Sequence, residues 1–324
     1  MLDAVDAVLA GELQRDGRAS FQTLADRVGL SRTSVRTRVQ HLLDSGIVRV
    51  VATVHASVIG TATIGHLFID VEGPARHIAH TVAGKPAAWF TALATGPHAV
   101  IAEVRVRDDA NLTQQAEALR SLPGVRGVEV FRATRVVKDA HSILNELPEI
   151  CLDEIDWQLL GELTRDGRTP YTRLAKVGGL SHAATRARAV RLMRTGVIHV
   201  SAIIDSRTLG SRQLAGVGIR MSSNVETAAG RIARLHAINH VVTGFGRYDL
   251  VCGIDATSRS LLLSTLEAVR AVPGVRAGES WHHLDILKQT HGTDPALMAA
   301  AQAQHGSTGE IARHRTLNNH VEAS

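Results

Sequence analysis

Arginines recur in two short runs whose spacing suits them to a polyanion. Arg32-Thr33-Ser34-Val35-Arg36-Thr37-Arg38 sets guanidinium and hydroxyl donors on successive helical turns, and His182-Ala183-Ala184-Thr185-Arg186-Ala187-Arg188 repeats the pattern 150 positions later. A guanidinium fork donates two parallel hydrogen bonds to phosphate oxygens or to the edge of a guanine, and hydroxyls add shorter-range donors. Residues 31–45 carry Arg32, Arg36 and Arg38 against the single acid Asp44, and residues 181–195 carry Arg186, Arg188, Arg191 and Arg194 with no acid. By contrast, residues 2–12 hold only acids, Asp3, Asp6 and Glu12. One basic run alone is explained equally well as a solvated helix face. Its recurrence at the same place in a repeat argues for a ligand. The net charge of +5 and pI near 9.7 permit a polyanionic partner without requiring one.

Other chemistries find less support. The two cysteines, Cys151 and Cys252, stand far apart without metal-ligand spacing, which argues against a disulfide framework and fits a reducing compartment. His77, His80, His282, His283, His291, His305, His314 and His320 form no convincing metal constellation along the chain, and no cofactor or metal is expected. The first residues carry acids where a signal peptide carries bases, and no apolar run approaches the length of a membrane span. A soluble, cytoplasmic chain is expected, with 44% apolar and 21% charged residues in the ordinary globular range.

The elements that position the arginines are duplicated. Leu2-Asp3-x-x-Asp6 recurs as Leu152-Asp153-x-x-Asp156, and Gly11-Glu12-Leu13-x-Arg15-Asp16-Gly17-Arg18 as Gly161-Glu162-Leu163-x-Arg165-Asp166-Gly167-Arg168. Gly29-Leu30-Ser31, Arg36-x-Arg38, Gly46 and Pro123-Gly124-Val125 all have counterparts at the same offset. Identity at roughly a third of the first sixty positions without a gap leaves duplication of a whole multi-element module as the explanation. In one unit, Val5, Val8, Leu9 and Leu13 mark an amphipathic helix over residues 3–15, and Phe21, Leu24, Ala25 and Val28 a second, ended by Gly29. Ser31 is the natural N-cap of a third helix, whose Val35, Val39 and Leu42 face inward. Three helices with a tight Gly-containing turn before the last form a helix-turn-helix pattern. In it, the N-terminal end of the third helix reaches base edges of duplex DNA. That end carries Arg32, Thr33, Ser34, Arg36 and Thr37 in one unit, and His182 and Arg186 in the other. Because the two sets differ, a strictly palindromic DNA site is not required. Residues 47–54 read as a strand or wing. Beyond them, strand and helix alternate as βαββαβ over residues 61–137 and again over 212–287, the order of a ferredoxin-like sandwich.

The wording of these segments resembles the Lrp/AsnC family of transcriptional regulators. The residues that carry the likeness are Leu152-Asp-Glu-Ile-Asp-Trp-Gln-Leu-Leu, Arg165-Asp-Gly-Arg, Leu174-Ala, Gly179-Leu-Ser, Arg188, Gly196-Val-Ile, Leu209-Gly, Val242-Thr-Gly-Phe-Gly-Arg-Tyr-Asp-Leu and Val272-Pro-Gly-Val. The tandem arrangement departs from the family, whose members usually carry one module. The resemblance implies an α+β chain with DNA-binding heads, dimerisation through the sandwich domains and larger homo-oligomers, so that one chain already supplies a pseudo-dimer. It places Arg38 and Arg188 at the family's recurring arginine, with phosphate contact and an intramolecular salt bridge both open. It also points to Gly246-Arg247-Tyr248-Asp249 as an effector site. There Gly246, Tyr248 and Asp249 would receive an amino acid or related metabolite, the aspartate accepting hydrogen bonds from its ammonium group, although a plain β-turn explains the same residues. The first unit has Gly96-Pro97-His98-Ala99 instead and lacks both the tyrosine and the aspartate.

The expected organisation is a helix-turn-helix over residues 1–54 and a sensing domain over 61–138, then a linker over 139–151. The second helix-turn-helix spans 152–204 and the second sensing domain 211–289, followed by a mostly disordered tail over 290–324. Sirohaem decarboxylases share this architecture and are the enzymatic alternative. His98 falls near the position of a histidine those enzymes use, but the strand after it, Ala99-Val-Ile-Ala-Glu-Val, has no aromatic residue and the chain is 3% aromatic. A non-enzymatic, DNA-binding regulator is therefore the expectation.

Overall fold

A computed structural model describes residues 3–139, 147, 150–204, 212–290 and 292–306. Each unit opens with three helices: α1 (Ala4–Arg15), α2 (Phe21–Val28) and α3 (Arg32–Asp44) in the first, α6 (Glu154–Arg165), α7 (Tyr171–Gly178) and α8 (His182–Arg194) in the second. Local chemistry fixes their ends. Asp3 accepts the Asp6 N–H, while Ser31 and Ser181 accept the N–H of Ser34 and Ala184. Gly29 and Gly179 close α2 and α7 in the left-handed region. Leu9, Leu13, Leu24, Val35, Val39 and Leu42 form the first core, and Leu160, Leu163, Leu174 and Leu192 lie in the second.

The two heads are not independent. The strand after α3, β1 (Val48–Val54), pairs antiparallel with its counterpart β6 (Ile198–Ile204) in a two-stranded ribbon centred near Val51 and Ser201. The hydrophobic cores interleave across it: Ala202 joins the first head's core, and Ala52 and Val54 join the second's. Gly17 and Gly167 permit the close approach, since a Cβ on Gly17 would lie 3.0 Å from the Ser201 backbone and one on Gly167 3.1 Å from the Val50 side chain and 3.3 Å from the Val51 carbonyl. The arginine after each glycine reaches across. Arg18 donates to the carbonyls of Gly167 (2.6 Å) and Thr169 (3.0 Å), and Arg168 to those of Gly17 (2.8 Å) and Ala19 (3.4 Å).

Each unit continues as βαββαβ: β2 (Thr63–Val71), α4 (Arg76–Ala83), β3 (Ala88–Ala94), β4 (Val100–Val106), α5 (Asp109–Arg120) and β5 (Val125–Asp139), then β7 (Gln213–Met221), α9 (Val225–Ala233), β8 (Ile238–Phe245), β9 (Leu250–Ala256), α10 (Arg259–Arg270) and β10 (Val275–Gln289). The element order is as expected, but the strands do not stand as two separate open sandwiches. They close into one eight-stranded barrel, β10-β3-β4-β2-β5-β8-β9-β7. Closure comes from the two fifteen-residue strands. β5 pairs with β2 through its first part and with β8 through its second, and β10 likewise passes from β7 to β3. The physical cause is that each sheet carries residues to bury on both faces. One face packs under α4 and α5 or under α9 and α10, and the other contributes Phe68, Phe131, Tyr248 and Trp281 to an interior shared by both units.

The expected disordered tail is partly ordered. Residues 295–306 form α11 (Pro295–Gly306), which buries Met298 and Ala301 against the core of the second head, and Thr293 accepts the Val54 N–H at 2.7 Å. Met298 and Ala301 find a partner surface in that core, and such tertiary packing stabilises a short helix. The remainder of the tail, and most of the expected linker, lie outside the described residues. Among the described residues no helix is long and apolar enough to cross a membrane.

Candidate nucleic-acid interface and effector sites

On α3, Val35, Val39 and Leu42 point into the head, which leaves Arg32, Thr33, Ser34, Arg36 and Thr37 exposed on the opposite side. On α8 the buried set is Thr185, Ala189 and Leu192, and His182 and Arg186 are exposed. Ser34 and Thr37 are held locally, Ser34 Oγ beside Ser31 Oγ (2.9 Å) and Thr37 Oγ1 donating to the Thr33 carbonyl (3.2 Å). His182 stands edge-on to Tyr171, ring centroids 6.1 Å apart. The exposed guanidinium groups of each head thus project from the first turns of its third helix, the part that enters a groove in helix-turn-helix proteins.

Arg38 and Arg188 are spoken for inside the protein. Arg38 Nη1 contacts Asp3 (2.6 Å) and Asp6 (2.9 Å), and Arg188 Nη1 contacts Asp153 (2.6 Å) and Asp156 (3.1 Å). Arg191 adds a 2.5 Å contact to Asp156, a nearly fully buried carboxylate. Donating hydrogen bonds to these aspartates raises the pKa of Arg38 and of Arg188. Asp3 is lowered by the Asp6 N–H and by Arg38, while Asp153 is lowered against its own desolvation by the Asp156 N–H and Arg188. Of the two roles open to this arginine, the structure shows the ion pair that ties the third helix to the first. The N-terminal acids Asp3, Asp6, Asp153 and Asp156 are explained by the same contacts.

The turn expected to receive an effector lies between β8 and β9. Asp249 Oδ2 accepts the Met221 N–H at 2.7 Å, and Gly246 has φ 129°, where a Cβ would lie 2.4 Å from the Val130 carbonyl. Tyr248 points into the barrel, buried beside Phe68, and its hydroxyl donates to Glu279 (2.8 Å). Arg247 bridges Glu129 of the first unit (2.8 Å) and Glu279 of the second (3.0 Å), so this turn also fastens the two halves together. In the first unit His98 Nδ1 lies 2.7 Å from Asp70 Oδ1 and its ring packs near Phe68.

A cavity of about 140 Å³ opens inside the barrel, lined by His66, Trp89, Glu103, Arg105, His240 and Trp281 among others. None of these was singled out by spacing. Burial drives the pKa of His66 and of His283 down to about 4, and that of the Cys252 thiol up to about 12. A sequence signal for the cavity did exist: Glu103 and Arg105 interrupt an otherwise apolar strand on the face away from the helices.

Comparison with known proteins decides the family. Residues 2–43 and 152–193 both match the AsnC-type helix-turn-helix domain, one match in each head. The HTH-type transcriptional regulator FL11 of Pyrococcus abyssi is 31% identical over 144 residues, which are 44% of this chain and 93% of that protein. The chain belongs to the Lrp/AsnC family of transcriptional regulators. The HTH-type transcriptional regulator LysM of Sulfurisphaera tokodaii aligns at 29% identity over 131 residues, 40% of this chain and 92% of the relative. Less than half of this Lrp/AsnC chain accounts for nearly the whole of either relative, as the tandem form requires. The whole-chain architecture has a counterpart in the siroheme decarboxylase NirDL, with TM-score 0.62, 94% of this chain and 100% of that one covered, and 15% identity. That likeness is one of fold.

Proposed function

We propose that this Lrp/AsnC chain is a sequence-specific regulator whose two heads read one bipartite site on duplex DNA. The observation that carries the reading is the reciprocal clasp of Arg18 and Arg168 across the β1–β6 ribbon, which fixes two third helices in one pseudo-symmetric unit. Arg32 and Arg36, and Arg186 in the second head, supply the base and phosphate contacts, assisted by Thr33, Ser34, Thr37 and His182. Arg38 and Arg188 hold their helices in place. Counterion release by several such contacts makes affinity fall by about 10³-fold or more between 50 and 200 mM salt. Electrophoretic shifts on fragments of the protein's own promoter region across that range test this, and absence of binding at low salt overturns it.

Modulation by a small metabolite belongs to the same proposal. Met221 engages one oxygen of Asp249, which leaves the other for the ammonium group of an amino acid at the Gly246–Asp249 turn. With Gly96-Pro97-His98-Ala99 in the other unit, about one effector binds per chain. Calorimetry with an amino-acid panel reads the stoichiometry, and an Asp249→Ala protein that responds normally removes the turn from the mechanism. Assembly into homo-oligomers through the barrel domains completes the reading and is measured by light scattering. The decarboxylase alternative rests on a likeness of fold at 15% identity, whereas the aligned relatives are transcriptional regulators and the strand after His98 carries no aromatic residue. A reaction catalysed by the chain is not part of the proposed function.

A further inference from the structure

One group of polar side chains inside the barrel breaks its pseudo-symmetry. His66 lies on β2, Glu103 and Arg105 on β4, Asp139 at the end of β5 and His240 on β8. His66 and Glu103 face each other directly across the β2–β4 ladder. The positions 150 residues after His66 and Glu103 are Gly216 and Gly253. A Cβ at Gly216 would lie 2.3 Å from the Trp281 ring, and one at Gly253 2.6 Å from Asn239. The duplicated halves have therefore diverged so that one supplies coordinating side chains where the other supplies glycines under large side chains. One off-axis site results where a symmetric barrel would carry two.

Nitrogen and oxygen atoms of His66, Glu103 and His240 all lie within 4.8 Å of one another. The Nε2 atoms of both histidines are buried and have no hydrogen-bond partner. Buried polar atoms in folded proteins are nearly always satisfied, so two unpaired imidazole nitrogens beside one carboxylate call for a ligand. Glu103 is oriented for the role. Arg105 Nε donates to its Oε1 at 2.6 Å, while Oε2 stands 3.9 Å from His240 Nε2. Arg105 also donates to Asp139 at 3.1 Å and stacks over Trp89 at 4.4 Å, so two carboxylates outweigh its single charge and hold it to one side. A ligand carboxylate tied by an outer hydrogen bond is the usual support of a metal centre. Two imidazoles with one carboxylate, and a position left open, are a donor set for zinc-like ions.

We propose that His66, Glu103 and His240 bind one divalent transition-metal ion of the zinc class inside the barrel, with its fourth coordination position facing the cavity. Tetrahedral ligands about 2.0–2.1 Å from zinc sit about 3.4 Å apart, so the three side chains draw inward on binding, into space the cavity provides. Two ligands come from the first unit and one from the second, so the ion cross-links the halves.

The test uses the full chain, stripped with a chelator and titrated with Zn²⁺ and with Co²⁺. The expected result is one tight equivalent per chain, visible d–d absorption of four-coordinate Co²⁺ and a raised melting temperature. His66→Gln and His240→Gln should each lower affinity by more than the roughly 10–100-fold typical of outer-shell changes, whereas a His305→Ala, His314→Ala double variant keeps the tight equivalent. An unchanged tight site in His66→Gln or His240→Gln, or only weak binding by the wild type, overturns the proposal. If the variants do not fold, X-ray absorption of the zinc-loaded wild type decides. Two imidazoles and one carboxylate support the site, and any other shell refutes it.

Discussion

Replacing Arg18 or Arg168 with alanine tests how the two heads are held. Each guanidinium donates to two carbonyls of the opposite head and lies over an aromatic ring there, Arg18 4.7 Å from the centre of Tyr171 and Arg168 5.4 Å from that of Phe21. Hydrogen bonds to a charged group contribute about 1.5–3 kcal/mol each when well buried. These are half-buried, so about 1 kcal/mol per bond is the better figure, and the ring adds about 0.5–1 kcal/mol. The two guanidinium groups also repel: desolvation, and then the charge of Arg18, push the Arg168 pKa down. Each single replacement removes that repulsion along with its own bonds and costs about 1–3 kcal/mol. In the double variant the repulsion is relieved only once, so its cost exceeds the sum of the singles by the repulsion energy, about 0.5 kcal/mol or more. Urea denaturation of the four proteins measures this as shifts in midpoint. Singles within 0.5 kcal/mol of wild type, or a double variant cheaper than the sum, would refute the clasp as the link between heads.

Two further outcomes follow from burial. Burial holds the folded-state pKa of His66 and His283 near 4, below the ordinary 6.5, so between those values the unfolded chain binds protons that the fold excludes. In chelator-treated protein, stability is therefore full above about pH 6.5 and declines as pH falls toward 4, on the order of 1–3 kcal/mol per histidine; melts across pH check this, and His283→Gln should flatten the decline. Met298 is 1% exposed against the second head. Met298→Ala should cost about 2–4 kcal/mol, and a chain ending at Gln289 should melt lower still; a tail that can be removed without effect would contradict the docking of α11.

What could be read from the residues followed the repeat. Matching Asp16-Gly17-Arg18 with Asp166-Gly167-Arg168 located two equivalent heads, and Ser31 with Val35, Val39 and Leu42 gave α3 its cap and its buried face. The role of Gly17 and Arg18 was not legible, because both act on the other head and local spacing carries no partner. Barrel closure was hidden for a related reason. Alternation along β4 separates Val100, Ala102, Val104 and Val106 from Ile101, Glu103 and Arg105, but a polar second face reads as solvent until another sheet covers it. α11 escaped notice because Ala-rich residues have weak amphipathicity, and its order depends on the second head's core. Arg38 and Arg188 were visible as paired arginines, yet their ion pairs with Asp3 and Asp153 join residues 35 positions apart and emerge only in the folded head.

Hydroxyl-radical footprinting at low salt reads whether both heads of one chain engage one duplex, as proposed. On a bound promoter fragment the wild type should protect two adjacent half-sites. Arg36→Ala and Arg186→Ala should each lose protection at one half-site, a different one in each case, with a loss of about 1–3 kcal/mol in affinity. A single protected segment, or footprints unchanged by either replacement, would contradict the account.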